Sequence, residues 1–363
     1  PILINQWANV VRWELRTRLF LRSAEFLWQE GHTVHETEAE AREETTKMLG
    51  VYKKFVEEHL AIPVIPGRKT EAEKFPGAVE TLCMECMVQD RKAVQAGTSH
   101  FLGQNFAKAG GIQFTGRDNE LQYAWTTSWG VSTRMIGMMI MAHADDDGMV
   151  MPPRIAPAQV AILPVTPKPE SAEAVQEACR ELTAELRAMD YHGERLKVEL
   201  DDRDMPGGTK NWDWIKKGVP LRVEIGPRDL EKGNVAVARR DKGPKEKAFL
   251  SVQDFKNTVV ETLDEIQVAL FQRASRFLKE NTRKIDDKEE FIAFFTPEDQ
   301  EKPEIHGGFA LSHWCGDSAV EAEIQEQLKV TIRCIPFEEP EEEGKCVWTG
   351  QPSKQRVVFG KGY

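Results

Sequence analysis

No segment of this sequence approaches the roughly 18 consecutive apolar residues that a membrane-spanning helix needs. The longest candidate, residues 135–142, falls well short, so neither a helical membrane span nor a membrane partner is expected. Cysteine is scarce. Cys83, Cys86, Cys179, Cys315, Cys334 and Cys346 are the 6 in 363 residues. They are too few and too scattered for a disulfide scaffold and suit a reducing, cytoplasmic setting. Residues 1–10 carry no basic n-region and no small-residue cleavage site, which argues against a secretory signal. Positive charge is also in deficit: 48 Lys and Arg stand against 59 Asp and Glu, a net charge of −11. Taken alone, that argues against non-specific coating of nucleic acid but leaves room for a partner read through one local basic surface. No Met opens the chain, and residues 2–11 read at once as an apolar strand, so sequence upstream of Pro1 is expected.

What is present is an ordinary globular balance, 40% hydrophobic and 29% charged, in a chain long enough for two or three cores. Residues 1–150 mix strand-like runs (10–13, 121–127) with a helical tract over 38–60. Helical spacing there puts Met48, Tyr52, Phe55 and Val56 on one face. A second, apolar helix is expected over 135–142. Pro152, Pro153 and Pro157 then stiffen a connector. Residues 151–280 alternate strand and helix: strands at 159–165, 196–200, 221–225 and 235–239, and a helix over 171–189 with Val175, Cys179, Leu182 and Leu186 inward. A long helix over 252–280 closes the region, its stripe made by Val259, Leu263, Ile266, Leu270 and Phe277. This rhythm predicts a small α/β domain. Residues 281–363 form a third, mixed region holding Cys315, Cys334 and Cys346.

Chemistry concentrates in Arg12-Trp13-Glu14 and Arg22-Ser23-Ala24-Glu25-Phe26. On a strand, Arg12 and Glu14 project from one face. A guanidinium is a planar fork of donors matched to phosphate oxygens. A carboxylate accepts from an exocyclic amine, and an aromatic ring offers a base a stacking surface. Taken alone, Arg-x-Glu is equally an exposed ion pair on a hairpin. Phe26 and Trp28 are equally core residues, His100 equally a structural histidine, and Ser128 and Gly130 equally turn formers.

The order of four blocks narrows these alternatives. Arg12 to Glu14 with Arg22 to Phe26 resembles motif 2 of the class II aminoacyl-tRNA synthetases. Phe26-Leu27-Trp28-Gln29-Glu30-Gly31-His32-Thr33, then Gln95-Ala96-Gly97-Thr98-Ser99-His100 with Gly103-Gln104-Asn105-Phe106, resemble the prolyl-tRNA synthetases. So does Thr127-Ser128-Trp129-Gly130-Val131-Ser132-Thr133-Arg134, which carries the motif 3 arginine. The resemblance runs over essentially the whole chain, to the form with an extra C-terminal domain. It implies an α/β fold: a class II antiparallel-sheet catalytic domain of α+β type (1–150), an α/β anticodon-binding domain with its closing helix (151–280), and a small mixed C-terminal domain (281–363).

The resemblance also implies roles. Arg12 is expected to grip the α-phosphate and the proline carboxylate, Glu14 to hold the adenine, Phe26 to stack on it, Arg22 to contact the triphosphate and Arg134 to clamp the γ-phosphate. Gln95, Thr98 and Ser132 are expected at the nucleotide, and Trp28, His100, Ser128 and Gly130 around proline. The substrates are then ATP, Mg2+, L-proline and tRNA(Pro), and the full-length protein a homodimer. A non-catalytic binding or regulatory relative is the alternative, because neither motif 1 nor a Thr-x-Glu loop lies within this sequence.

Asp201-Asp202-Arg203-Asp204, Lys210 and residues 217–229 resemble the family's anticodon-binding domain. Arg222 is expected to read a guanine edge and Lys210 a phosphate. The acidic run itself reads as a solvated strand end. Ile215 stands where the family carries a base-reading Glu. In the C-terminal domain Cys315 and Cys346 keep one ligand of each of the family's two cysteine pairs, while Val320 and Thr349 replace the others. Zinc is therefore not expected, since a structural site needs a closed set of four ligands. Cys83-Met84-Glu85-Cys86 is read as two partly buried cysteines one helical turn apart, without metal or redox work. Residues 357–363 match the family's ending, a tail buried toward the active site, and read equally as an edge strand.

Overall fold

The protein is described by a computed structural model covering residues 1–166, 169–243, 246–297 and 307–363. In chain order the elements are β1 (Ile2–Val11), β2 (Glu25–His35), α1 (Glu38–Lys54), β3 (Ile65–Arg68), β4 (Glu80–Met87), β5 (Ala93–Gly103), α2 (Asn105–Gly110), β6 (Gln113–Thr115), β7 (Leu121–Tyr123), β8 (Trp125–Ser132) and α3 (Arg134–His143). Then come β9 (Val160–Pro164), α4 (Pro169–Arg187), β10 (Asp190–Tyr191), β11 (Glu194–Arg195), β12 (Val198–Leu200), α5 (Gly207–Lys217), β13 (Leu221–Ile225), α6 (Pro227–Lys232), β14 (Asn234–Arg239), β15 (Ala248–Ser251) and α7 (Val252–Glu280). The last are β16 (Thr282–Lys284), α8 (Lys288–Phe295), β17 (Phe309–His313), α9 (Ser318–Leu328), β18 (Thr331–Pro336), β19 (Gly344–Lys345), β20 (Pro352–Ser353) and β21 (Arg356–Gly360).

Two compact units emerge: residues 1–57, 62–142 and 275–363 form the first, residues 58–61 and 143–274 the second. The first is built on one 10-stranded sheet, ordered β1-β2-β8-β5-β4-β3-β18-β21-β17-β16. Every pair is antiparallel except β16 with β17. Strands from the end of the chain thus extend a sheet begun at its start. The join is fastened below the surface by Glu85, which is fully buried and takes Lys69 Nζ at 2.8 Å and Arg333 Nη2 at 2.9 Å. Both cations hold its carboxyl below the usual carboxylate range against the opposing effect of burial. Behind β2, β8 and β5 lies α1. Its cap is Thr37, which accepts the Glu40 amide at 3.2 Å, and its buried face is Ala41, Glu44, Thr45, Leu49 and Tyr52. The expected face is corrected here. Phe55 is exposed and Met48 half-buried, because the α-helix stops at Lys54 and continues as one wider turn, Phe55–His59.

The second unit has a 5-stranded sheet ordered β12-β9-β13-β14-β15. Its β12, β9 and β13 run parallel, as buried apolar strands joined by helical crossovers do. Val175, Cys179, Leu182 and Leu186 of α4 and Val259, Leu263, Ile266 and Leu270 of α7 are all buried in one core, as their spacing predicts. Gly218, at φ 75°, and Gly233, at φ 65°, close α5 and α6 in the left-handed region. The overall class is α/β with an antiparallel-rich main sheet. No helix among the described residues is long and apolar enough to cross a membrane.

Candidate active site

A cavity of about 540 Å³ lies on the β2, β8 and β5 portion of the main sheet. Strand pleat explains its floor. Side chains two apart share a face, and register lines them up across strands. His32, Ser128 and His100 form one row; Glu30, Gly130 and Thr98 form the next; Trp28 pairs with Ser132. A bulge between the Met84–Gly97 and Glu85–Gln95 pairs breaks the alternation of β5, and Gln95 joins the lining residues. Gly31 serves the other face: a Cβ there would lie 2.1 Å from the Trp129 ring.

Residues 12–24 form a turn-rich hairpin above one end, closed by the Arg18–Arg22 bridge. Phe20 and Leu21 at its tip line the cavity and pack on α3 at Gly137, where a Cβ would sit 2.9 Å from Phe20. Arg12 rests its guanidinium 5.0 Å above the Phe26 ring, and Phe26 meets Trp28 edge-on. Arg134 opens α3, its amide donating to Ser132 Oγ at 3.3 Å and its Nε to the Leu21 carbonyl at 3.2 Å. Burial first, then the like charges of Arg12 and Arg22, lower its pKa. Arg12 and Arg22 are exposed and Arg134 half-buried, and none of the three has a carboxylate partner among the described residues, whereas Arg239, Arg240, Arg333 and Arg356 each have one. Three unneutralised guanidiniums beside a helix N-terminus are a receptor for an anion of high charge.

The opposite end is apolar. Phe75, from the loop between β3 and β4, lies 4.9 Å from the His100 ring and 6.2 Å from Phe106. Burial holds His100 at about 4, so the imidazole is neutral near pH 7.

Arg12, Phe26, Trp28, Gln95, Thr98, His100, Ser128, Gly130, Ser132 and Arg134 all line this cavity. Glu14 and Arg22 do not. Arg12 and Glu14 lie past the end of β1, in the hairpin rather than on a strand, so the shared-face argument does not hold for them. Sequence reasoning missed Phe75, Phe106, Glu30 and His32. Alternation from Trp28 along β2 would have found Glu30 and His32, and Phe106 sat inside a quoted block. Phe75 lies in an irregular loop without periodic signal.

Other expectations need correction. Arg222 and Lys210 are not displayed on the surface of the second unit. Arg222 is 1% exposed, donating from Nε to Asn211 Oδ1 at 2.8 Å, with one terminal nitrogen lacking a partner among the described residues. Burial and neighbouring Arg240 lower it to about 10. Lys210 donates to the Asp201 carbonyl at 3.0 Å. Asp201 is no solvated strand end: it is buried, takes Arg203 at 2.7 Å and Trp214 Nε1 at 2.9 Å, and is held down to about 2. Ile215 is core. Cys83 and Cys86 lie on strand β4, not a helix, and both are buried. Val320 packs in the C-terminal core, and Thr349 Oγ1 stands 4.0 Å from Cys315 Sγ. The chain's end is no edge strand: β21 lies inside the sheet, and the Tyr363 ring carries Arg18 at 5.1 Å and Lys92 Nζ at 4.7 Å.

A cavity on an antiparallel sheet, with unpaired arginines on a strand-linking hairpin and at the start of the following helix, is the arrangement of a class II aminoacyl-tRNA synthetase. Comparison with known proteins agrees. Residues 159–262 match the family model described as "Anticodon binding domain" and residues 299–363 that described as "Prolyl-tRNA synthetase, C-terminal". The chain is 60% identical to Proline--tRNA ligase 2 of Anaeromyxobacter dehalogenans and 53% identical to the Proline--tRNA ligase of Protochlamydia amoebophila. In each case 100% of this chain aligns with 72% of the relative. The Proline--tRNA ligase of Bdellovibrio bacteriovorus is 50% identical over the same shares. The chain belongs to the prolyl-tRNA synthetase family.

Proposed function

We propose that this protein activates L-proline with ATP and transfers it to tRNA(Pro). Relatives at 50–60% identity over the whole chain carry the name of that ligase, and nothing favours the non-catalytic alternative. The observation that carries the mechanism is the set of unpaired arginines at one end of the cavity and the apolar, aromatic end opposite. Proline fits the latter, between Trp28, Phe75 and His100, with Ser128 and Gly130 beneath it. Its carboxylate then points toward Arg12. ATP enters as its magnesium complex. The ion is carried in by the phosphates, as magnesium on a triphosphate usually is.

Arg12 leaves the Phe26 face, which the adenine then takes, and bridges carboxylate and α-phosphate. Arg134 and Arg22 hold the outer phosphates, Gln95, Thr98 and Ser132 the rest of the nucleotide, and Glu14 its base end as the hairpin closes. A carboxylate oxygen attacks the α-phosphorus, and pyrophosphate leaves. The arginines contribute by orienting two anions that would otherwise repel and by meeting charge as it develops. The tRNA's terminal ribose hydroxyl then attacks the prolyl carbonyl, and AMP departs. In the second unit Arg222, buried with one unpaired nitrogen, reads a base once the packing over it opens, and Lys210 makes a phosphate contact once it leaves the Asp201 carbonyl. The full-length protein is read as a cytoplasmic homodimer; exposed Ile2, Leu3, Ile4 and Trp7 on the sheet's edge strand favour a covering partner copy.

Proline-dependent exchange of pyrophosphate into ATP tests the reading. Arg12→Ala is expected to reduce it by at least ~10²-fold, the usual scale for losing a transition-state donor. Unchanged exchange would overturn the assignment.

A further inference from the structure

His100 faces the cavity from β5, yet its hydrogen-bond partner among the described residues is one that does not line it. Thr81 of β4 is buried, and its Oγ1 lies 2.9 Å from His100 Nδ1. The same oxygen accepts the Phe75 amide at 3.0 Å. These two contacts fix the direction of every proton in the chain. An amide can only donate, so Thr81 Oγ1 accepts from Phe75. The hydroxyl's own proton then has one acceptor among the described residues, the lone pair of His100 Nδ1. The opposite assignment, with a proton on Nδ1, would leave a buried O–H without an acceptor, a costlier arrangement. His100 is neutral, so its single ring proton sits on Nε2, which has no partner among the described residues.

We propose that Thr81 is a positioning residue: one buried hydroxyl sets His100 in the Nε2–H tautomer, so that the ring presents a neutral N–H donor to the amino-acid pocket, and at once ties down the loop that carries Phe75. The loop is also tied by Thr70 Oγ1 donating to Glu321 at 3.0 Å, by Asn105 Nδ2 donating to the Gly77 carbonyl at 2.9 Å and by the Val79 amide donating to the Phe101 carbonyl at 2.9 Å, while the Phe75 amide itself is held by Thr81. Thr81 is thus the point where the polar and apolar contacts of the amino-acid pocket meet. A valine there would keep the shape of the side chain and lose both bonds.

The inference rests on the reading of the cavity as a proline site, and the experiment separates the two. In full-length enzyme, Thr81→Val is expected to raise KM for proline about tenfold while KM for ATP stays within about twofold, the size of one or two hydrogen bonds. Thr81→Ser, which restores the hydroxyl, is expected to return KM for proline to within about threefold of the parent. Ring-15N spectra, with the His100 signal assigned by loss in His100→Asn, are expected to show the Nε2–H form in the parent and Thr81→Ser and a tautomer mixture in Thr81→Val. Serine failing as badly as valine, an unmoved proline KM in Thr81→Val, or an Nδ1–H signal in the parent would overturn the proposal. Absence of proline-dependent exchange in the parent would instead count against the proline site, and the nitrogen spectra would still decide the role of Thr81.

Discussion

Replacing Glu85 by alanine should damage the protein far from the cavity and by a large margin. Its carboxylate is fully buried between Lys69 and Arg333, with contacts of 2.8 and 2.9 Å, on strands that join early and late segments of the main sheet. Lys69 is itself buried and also donates to the Arg333 carbonyl at 2.6 Å. The intact cluster gains little net free energy, because removing three charges from water costs about what their attraction returns. Deleting only the anion is different. Two cations are left in a low-dielectric site, and truncation of one partner in such clusters costs about 3–5 kcal/mol. Every 1.4 kcal/mol is a factor of ten, so sub-global opening of this region becomes roughly 100 to 4,000 times more frequent. Because the chain has two compact units, a single melting temperature would blur the effect. Amide hydrogen exchange resolves it: protection should fall in residues 65–68, 80–87 and 331–336 and stay unchanged in residues 160–164 and 221–225. Replacing Lys69, Glu85 and Arg333 together by methionine should recover most of the loss. A change below about 1 kcal/mol in Glu85→Ala, or an equal loss in the second unit, would refute the reasoning.

Two further outcomes are expected. Glu321 is buried, accepts Thr70 Oγ1 at 3.0 Å, faces Glu73, and is pushed up to about 7 chiefly by burial. A carboxyl whose folded value is raised favours the fold while protonated, so its contribution is full below about pH 4 and lost as pH rises through 7. Glu321→Gln should therefore gain roughly 2–3 kcal/mol over the parent at pH 8 and nothing at pH 4, read by urea denaturation. Cysteine reactivity should follow burial. Cys315 is the half-exposed one, whereas Cys179 is pushed up to about 12 by burial and Cys86 higher still. Mass spectrometry after brief alkylation of the native protein should find Cys315 modified first and Cys86 and Cys179 only after unfolding.

Much of this was legible in the residues, for identifiable reasons. Long amphipathic helices announce themselves, and the stripe of α7 was readable because Val259, Leu263, Ile266 and Leu270 follow one period without interruption. Short-range order revealed the cavity floor, since strand pleat turns alternating residues into one surface. What failed depended on neighbours distant in sequence. Cys83 to Cys86 has no pattern of its own and becomes a strand because β3 and β5 flank it. Arg222 carries a charge that composition places outside; only the packing of the second unit's sheet puts it inside. Phe75 belongs to a loop held by hydrogen bonds to distant residues, among them its own amide to Thr81, Asn105 to Gly77 and Thr70 to Glu321. No periodicity encodes them.

The joining of β3 to β18 has a consequence for synthesis. Arg68 finds its partner, Ile335, 267 residues later in the chain (335 less 68). At about 5–20 residues per second, a ribosome leaves that strand edge bare for some 10–50 s. During that interval it is a template for any other extended chain nearby. A nascent polypeptide arrested after the second unit should therefore engage chaperones through residues 62–87, and release of residues 275–363 should end the engagement.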